Sequence, residues 1–216
     1  MKHSILFIFF LSITSLLHAQ TIQERLNKGE TPKQIIKSGV PKDSLYGNIY
    51  QGGHIFYFFK DTTGMVFGTK DLAYDYDSTK TRIIWSCRMI VTGSTDTHIG
   101  AGLENTKKIK EKNCPLYDPD AKEWMISAAE LCLLYKGGGF NDWFLPSKDE
   151  LHEAYMNLSH NALVHFNEME YWTSSEKDGE FAWIEHFKGP SEYEMFGQSY
   201  YRKFYKESVR PVRVFK

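Results

Sequence analysis

Little in this sequence marks a nucleic-acid binder or a familiar catalyst. Its 216 residues carry 26 Lys and Arg against 27 Asp and Glu, a formal net charge of −1. The lysines are scattered among acids instead of gathering in a stripe, so the electrostatic footprint of a nucleic-acid partner is missing and none is expected. There is no G-x-S-x-G elbow, phosphate loop or dinucleotide fingerprint. The histidines after residue 19 are His54, His98, His152, His160, His165 and His186, and they form no H-E-x-x-H or other tight ligand set. No metal, cofactor or catalytic residue is therefore expected. After residue 17 no apolar run approaches the about 20 residues of a membrane span.

What is present begins with an export signal. Lys2 and His3 give a positive start, residues 5–17 an apolar core, and Leu17-His18-Ala19 a small-residue cleavage site before Gln20. The expectation is an exported protein, periplasmic, at the cell surface or extracellular. In an oxidising compartment the three cysteines, Cys87, Cys114 and Cys132, allow one disulfide and one leftover thiol. Cys114 and Cys132 are nearest in sequence and flank an expected helix, so that pair is favoured. Cys87 is then a small buried apolar residue. A catalytic thiol at Cys87 is the sharper alternative, and no histidine is its sequence neighbour.

Aromatic residues make up 15% of the chain, a density that suits bulky packing or a ring-bearing contact surface. Residues 20–48 read as two mini-helices, with Thr31-Pro32 as cap and first-turn proline, forming a short lead. The main domain runs from residue 49 to 216. Residues 54–59 and 65–70 read as a hairpin, and residues 82–87 as a strand. The aspartates of residues 71–77 lack the glycine and closing glutamate of a calcium loop and read as a solvated loop. Residues 106–112 read as a surface helix. Ala121, Trp124, Met125, Ala128, Leu131, Cys132 and Tyr135 fall at spacings of three and four, which predicts one amphipathic helix, with Gly137 to take the left-handed stop.

The hub is GGFNDWFLPSKDEL, residues 138–151. Pro146 ends its extended piece, and Ser147 with Glu150 forms an S-x-x-E capping box that starts the next helix. Strands are expected over residues 171–174, 181–187 and 209–215. Alternation puts Phe181, Trp183, Glu185 and Phe187 on one face of the second. Asp142 is expected to satisfy turn donors, Trp143 to be core, and Arg210 and Arg213 to pair with acids of the sheet. Glu185 is either a cross-strand partner of an arginine or a site carboxylate.

Together GGFNDWFLPSKDEL, YWTSSE (residues 171–176), FAWIEHFKG (residues 181–189) and SVRPVRVF (residues 208–215) resemble a family. It is the group of bacterial domains of unknown function that includes the C-terminal domain of Legionella collagen-like adhesins. YQGGHIFYF (residues 50–58) and HIGAGLENT (residues 98–106) look like its longer Bacteroidota secreted version. The resemblance implies an α+β fold of C-type-lectin-like form, shared with formylglycine-generating enzymes: a twisted antiparallel sheet flanked by two main helices. In that fold the first and last strands pair, which places residues 54–59 beside residues 209–215. Pro211 departs from the pattern and implies an edge or bulge. Such relatives build a variable face where Trp183, Tyr193, Phe196, Tyr200 and Tyr201 lie, with Glu192, Gln198 and Arg202 as polar neighbours; packing of a long irregular loop is the other reading of the same rings.

The expectation is a non-enzymatic binding module, adhesin-like, contacting a surface glycan or protein through Trp183, Glu185, Tyr193, Phe196, Tyr200, Tyr201 and Arg202. A formylglycine-generating oxidoreductase needs a late cysteine pair, and the last cysteine is Cys132. A structural envelope component is the remaining alternative.

Overall fold

The computed structural model describes residues 20–60, 62–73, 82–118, 122–166, 170–187 and 197–216. Thr21 caps helix α1 (Ile22–Asn27) and Thr31 caps α2 (Pro32–Lys37). Each hydroxyl accepts the N–H three residues on, and Glu24 or Gln34 reaches back to the cap N–H. Helices this short are not stable alone. They are held by burying Leu26, Ile35 and Leu45 against Ile55, Phe58, Val66 and Trp143.

The strands and helices that follow are β1 (Ile49–Tyr50), β2 (Gly53–Lys60), β3 (Thr63–Gly68), β4 (Arg82–Ile84), α3 (Gly102–Glu111), β5 (Leu116–Asp118) and β6 (Glu123–Met125). Then come α4 (Ala128–Leu134), α5 (Lys148–Leu158), β7 (Glu170–Glu176), β8 (Phe181–His186), β9 (Gly197–Arg202), β10 (Lys206–Ser208) and β11 (Val212–Phe215). Among the described residues they make an α+β arrangement of mostly antiparallel sheets. One sheet has the order β1-β2-β3-β11, a second β4-β10-β7-β8-β9, and β5-β6 is a separate hairpin. Only the β10–β7 contact is parallel among these described pairings.

Helix α5 lies between the two main sheets. Its Leu151, Ala154 and Leu158 pack with Phe56, Met65 and Phe67 of the first sheet and Tyr171 and Phe187 from the second. The opposite face of the first sheet receives the N-terminal helices. A register shift between Ile55 and Tyr57 lets Ile55 and Phe58 share that face although they are three residues apart. Helices α3 and α4 cover the second sheet, where Ile83, Trp85, Trp172, Ala182 and Ile184 meet Ile109, Ala128, Ala129 and Cys132.

Several expectations are corrected. The closing strand pairs with β3, not with residues 54–59, so β2 is one strand removed from β11. Residues 209–215 are not one strand: the chain leaves the second sheet after β10 and enters the first at β11. Pro211, which has no N–H for a ladder, sits in that crossover, where its carbonyl accepts the Gly68 N–H at 2.8 Å. The helix expected from residue 121 begins only at Ala128, because the Ser127 hydroxyl accepts the Glu130 N–H as its cap. Trp124 is instead in β6 and 64% exposed.

The disulfide is Cys87–Cys114, not Cys114–Cys132. Their Cα atoms are 5.5 Å apart, within bridging range. Cys132 lies on the inner side of α4 in the core, a free buried cysteine whose thiol burial pushes well above its ordinary pKa. Asp71 is not solvated; it is buried against Arg210, whose Nε and Nη2 reach Oδ1 at 2.6 and 2.5 Å. Asp75 and Asp77 lie outside the described residues.

The hub segment ties these layers together. Gly138 has φ 63° and Gly139 φ 81°, so the left-handed positions fall one and two residues after Gly137. A Cβ on Gly138 would stand 2.3 Å from the Gly52 Cα, so only glycine permits this backbone approach. Asp142 does not serve turn donors alone; its carboxylate takes Arg213 bidentately at 2.6 and 2.9 Å, with the guanidinium 3.8 Å above the Phe140 ring. Trp143 is fully buried, Phe144 bridges Val212, and the Pro146 carbonyl accepts the Ser174 N–H. The Ser147–Glu150 capping box forms as expected, and the Glu150 carboxylate also accepts the Gly100 N–H at 2.8 Å.

Candidate functional site

In β8, residues 181–184 alternate in burial, with Ala182 and Ile184 turned to the core, and the strand pairs with β9. Residues 197–202 fall in the segment expected to be an irregular loop. They form β9 because Gly197 through Arg202 pair residue for residue with β8. The pairing places Phe181 opposite Arg202, Trp183 opposite Tyr200, and Glu185 opposite Gln198, all on one face.

That face carries a row of rings. Trp183 and Tyr200 meet edge to face at 5.7 Å, and Phe181 meets Tyr200 at 5.5 Å. Cross-strand aromatic pairs of this kind contribute about 0.5–1.5 kcal/mol each. Trp183 and Phe181 are half-buried and Tyr200 is 43% exposed. Lysines border the row: Lys177 Nζ is 4.2 Å from the Tyr200 ring centre, and Lys148 Nζ is 4.5 Å from that of Trp183. Lys148 opens α5, where the helix dipole disfavours a cation. Arg202 extends the other end of the row and pairs with Glu180 at 3.2 Å.

At the Lys148 end the row meets a titratable pair. Glu185 is fully buried, and His152 from α5 places Nδ1 at 3.2 and 3.4 Å from its two carboxylate oxygens. Burial raises the Glu185 pKa to about 7, against the opposing pull of His152 and Lys148. The partner is therefore a histidine of the helix, not a cross-strand arginine. His152 is partly exposed, so it links a buried proton-binding group to the surface of the face. The arrangement can stack a flat apolar surface on rings, donate hydrogen bonds from Gln198, Arg202 and the lysines, and change protonation near neutral pH.

The structure brings together Trp183, Glu185, Tyr200 and Arg202 of the expected site residues. Tyr201 is separated from them: it points through the opposite face of the hairpin, packs against Ala182 and Ile184, and lies 6.1 Å from the ring of His186. Tyr193 and Phe196 lie outside the described residues. Sequence reasoning missed Phe181, Lys148, Lys177 and His152. Phe181 was legible from its i, i+2 spacing to Trp183, and Lys148 and His152 from their i, i+4 spacing on one helix face. Their placement over β8 needed the tertiary fold.

Among the described residues no group of three or more His, Cys, Asp or Glu lies close enough to hold a metal ion. No helix among them is long and apolar enough to cross a membrane. The chain matches no protein-family model and no curated protein.

Proposed function

We propose that this is an exported, non-enzymatic binding module that recognises a glycan or protein ligand through the Phe181–Trp183–Tyr200 face. The observation that carries the reading is the ring row itself, on a strand pair packed against α5 and bordered by hydrogen-bonding side chains. Rings flanked by polar groups suit a saccharide, whose C–H faces stack and whose hydroxyls take the rim donors; a protein loop is the other occupant of the same chemistry. The C-type-lectin-like form that the sequence resemblance implies is consistent with two helices against antiparallel strands, and it belongs to this proposal. So does membership of the adhesin-associated family.

Glu185 and His152 serve as a base under the face and couple it to pH. An acid–base catalyst is the second reading, since perturbed carboxylates cluster at active sites. The experiment is an array of surface polysaccharides and glycans, probed with the wild type and with a Trp183→Ala, Tyr200→Ala double variant. Retention by the wild type and loss in the double variant supports the binding face. Turnover of a bound saccharide, abolished by Glu185→Gln, would establish the catalytic reading instead.

A further inference from the structure

At the opposite edge of the five-stranded sheet, where β4 and β10 pair, a cleft of about 670 Å³ opens beside the Cys87–Cys114 bond. That volume is in the range of small-molecule sites. Ile84, Ile90, Leu116 and Phe204 supply apolar walls, and Arg88 and Lys112 stand beside them. No Asp or Glu is among the described lining residues.

The walls are held from behind. The disulfide joins the loop after β4 to the turn after α3. The fully buried Glu176 carboxylate accepts the Thr92 and Gly93 N–H groups at 2.8–3.0 Å and pairs with Lys203 at 2.5 Å. Lys203 in turn donates to the Ile90 carbonyl at 2.9 Å. The loop that forms one wall is therefore fixed at both its ends.

Arg88 is the telling residue. The other described arginines are ion-paired: Arg25 with Glu30, Arg82 with Glu170, Arg202 with Glu180, Arg210 with Asp71, and Arg213 with Asp142. Arg88 has no carboxylate partner among the described residues, and its guanidinium lies 4.7 Å over the Phe204 ring. A guanidinium held over a ring and not on a carboxylate keeps N–H groups for a planar anion.

We infer that this cleft is a second ligand site, distinct from the ring face, for a small amphipathic anion: an aryl or medium-chain carboxylate with its head on Arg88 and its body along Ile84, Ile90, Leu116 and Phe204. The test uses the whole chain and anilinonaphthalene sulfonate fluorescence, with decanoate and decanol as competitors. Saturable dye binding is expected, with decanoate displacing the dye about tenfold more tightly than decanol, the effect of one charge-assisted contact. Arg88→Gln should erase that preference by weakening decanoate about tenfold while leaving decanol unchanged. Arg88 is exposed, so this variant should melt like the wild type. The Trp183→Ala, Tyr200→Ala variant should bind as the wild type does, which separates this site from the ring face. Dye binding that does not saturate, equal competition by decanol, or a preference that survives Arg88→Gln overturns the inference.

Discussion

At the scale of single residues, buried charge is the feature with the largest expected consequences. Arg210 is 1% exposed, pairs with Asp71, and is surrounded by the rings of Phe67, Phe166 and Tyr171 at 4.9–5.6 Å. Removing one partner leaves the other charge buried and unpaired, so Asp71→Ala should cost about 3–5 kcal/mol in urea unfolding. Glu185 makes a pH-dependent contribution of the opposite kind to the usual carboxylate. Its folded pKa is raised to about 7 from 4.5, so the folded state holds the proton more tightly than the unfolded chain does. The contribution is fully present below about pH 4.5 and is lost as pH rises through about 7. Glu185→Gln should remove a component on the order of 1–3 kcal/mol from the fall in stability across that window. Pairing of Arg210 and Arg213 with acids was legible, although Arg210 precedes strand β11 and neither Asp71 nor Asp142 belongs to a sheet. The identity of the acids was not, because Asp71 lies 139 residues from Arg210 and Asp142 lies 71 from Arg213.

At the scale of elements, local chemistry was readable wherever a cap or a stop decided the structure. Ser147 both caps α5 and donates to the His98 carbonyl at 2.9 Å. Ser147→Ala should therefore cost about 1–2 kcal/mol in thermal or urea melts, and Ser147→Thr less. Strand β8 was legible by alternation. Its partner β9 was not, since its Gln198-Ser199-Tyr200-Tyr201-Arg202 run has no alternation of apolar with polar residues and gains its conformation from pairing. The helical spacing from residue 121 misled for a physical reason: Trp124 and Met125 share the period by chance, and the Ser127 cap starts the helix later. Exposed Trp124 instead meets Tyr117 across the β5–β6 hairpin at 5.3 Å.

At the scale of the whole molecule, residues 138–151 join both sheets, α5 and the β1–β2 turn through Gly52, Ser174, Arg213 and Val212. The motif announced such a corner in sequence, because glycine, proline and capping box each constrain backbone by themselves. The disulfide was not announced, because proximity in sequence is a poor guide once a helix and a hairpin separate the cysteines. Thiol titration of the denatured, unreduced protein should find one reactive thiol, and peptide mapping should assign it to Cys132. A Cys114–Cys132 peptide would contradict the fold around α4.

Binding is proposed to run through the ring face. The most direct measurement is the dissociation constant of the array's best glycan, or of a protein captured in its place, for the wild type, the Trp183→Ala, Tyr200→Ala variant and Arg88→Gln. Loss of two stacked rings should weaken binding by about a hundredfold, while Arg88→Gln should leave it unchanged. An affinity that survives removal of both rings would place the contact surface elsewhere on the protein.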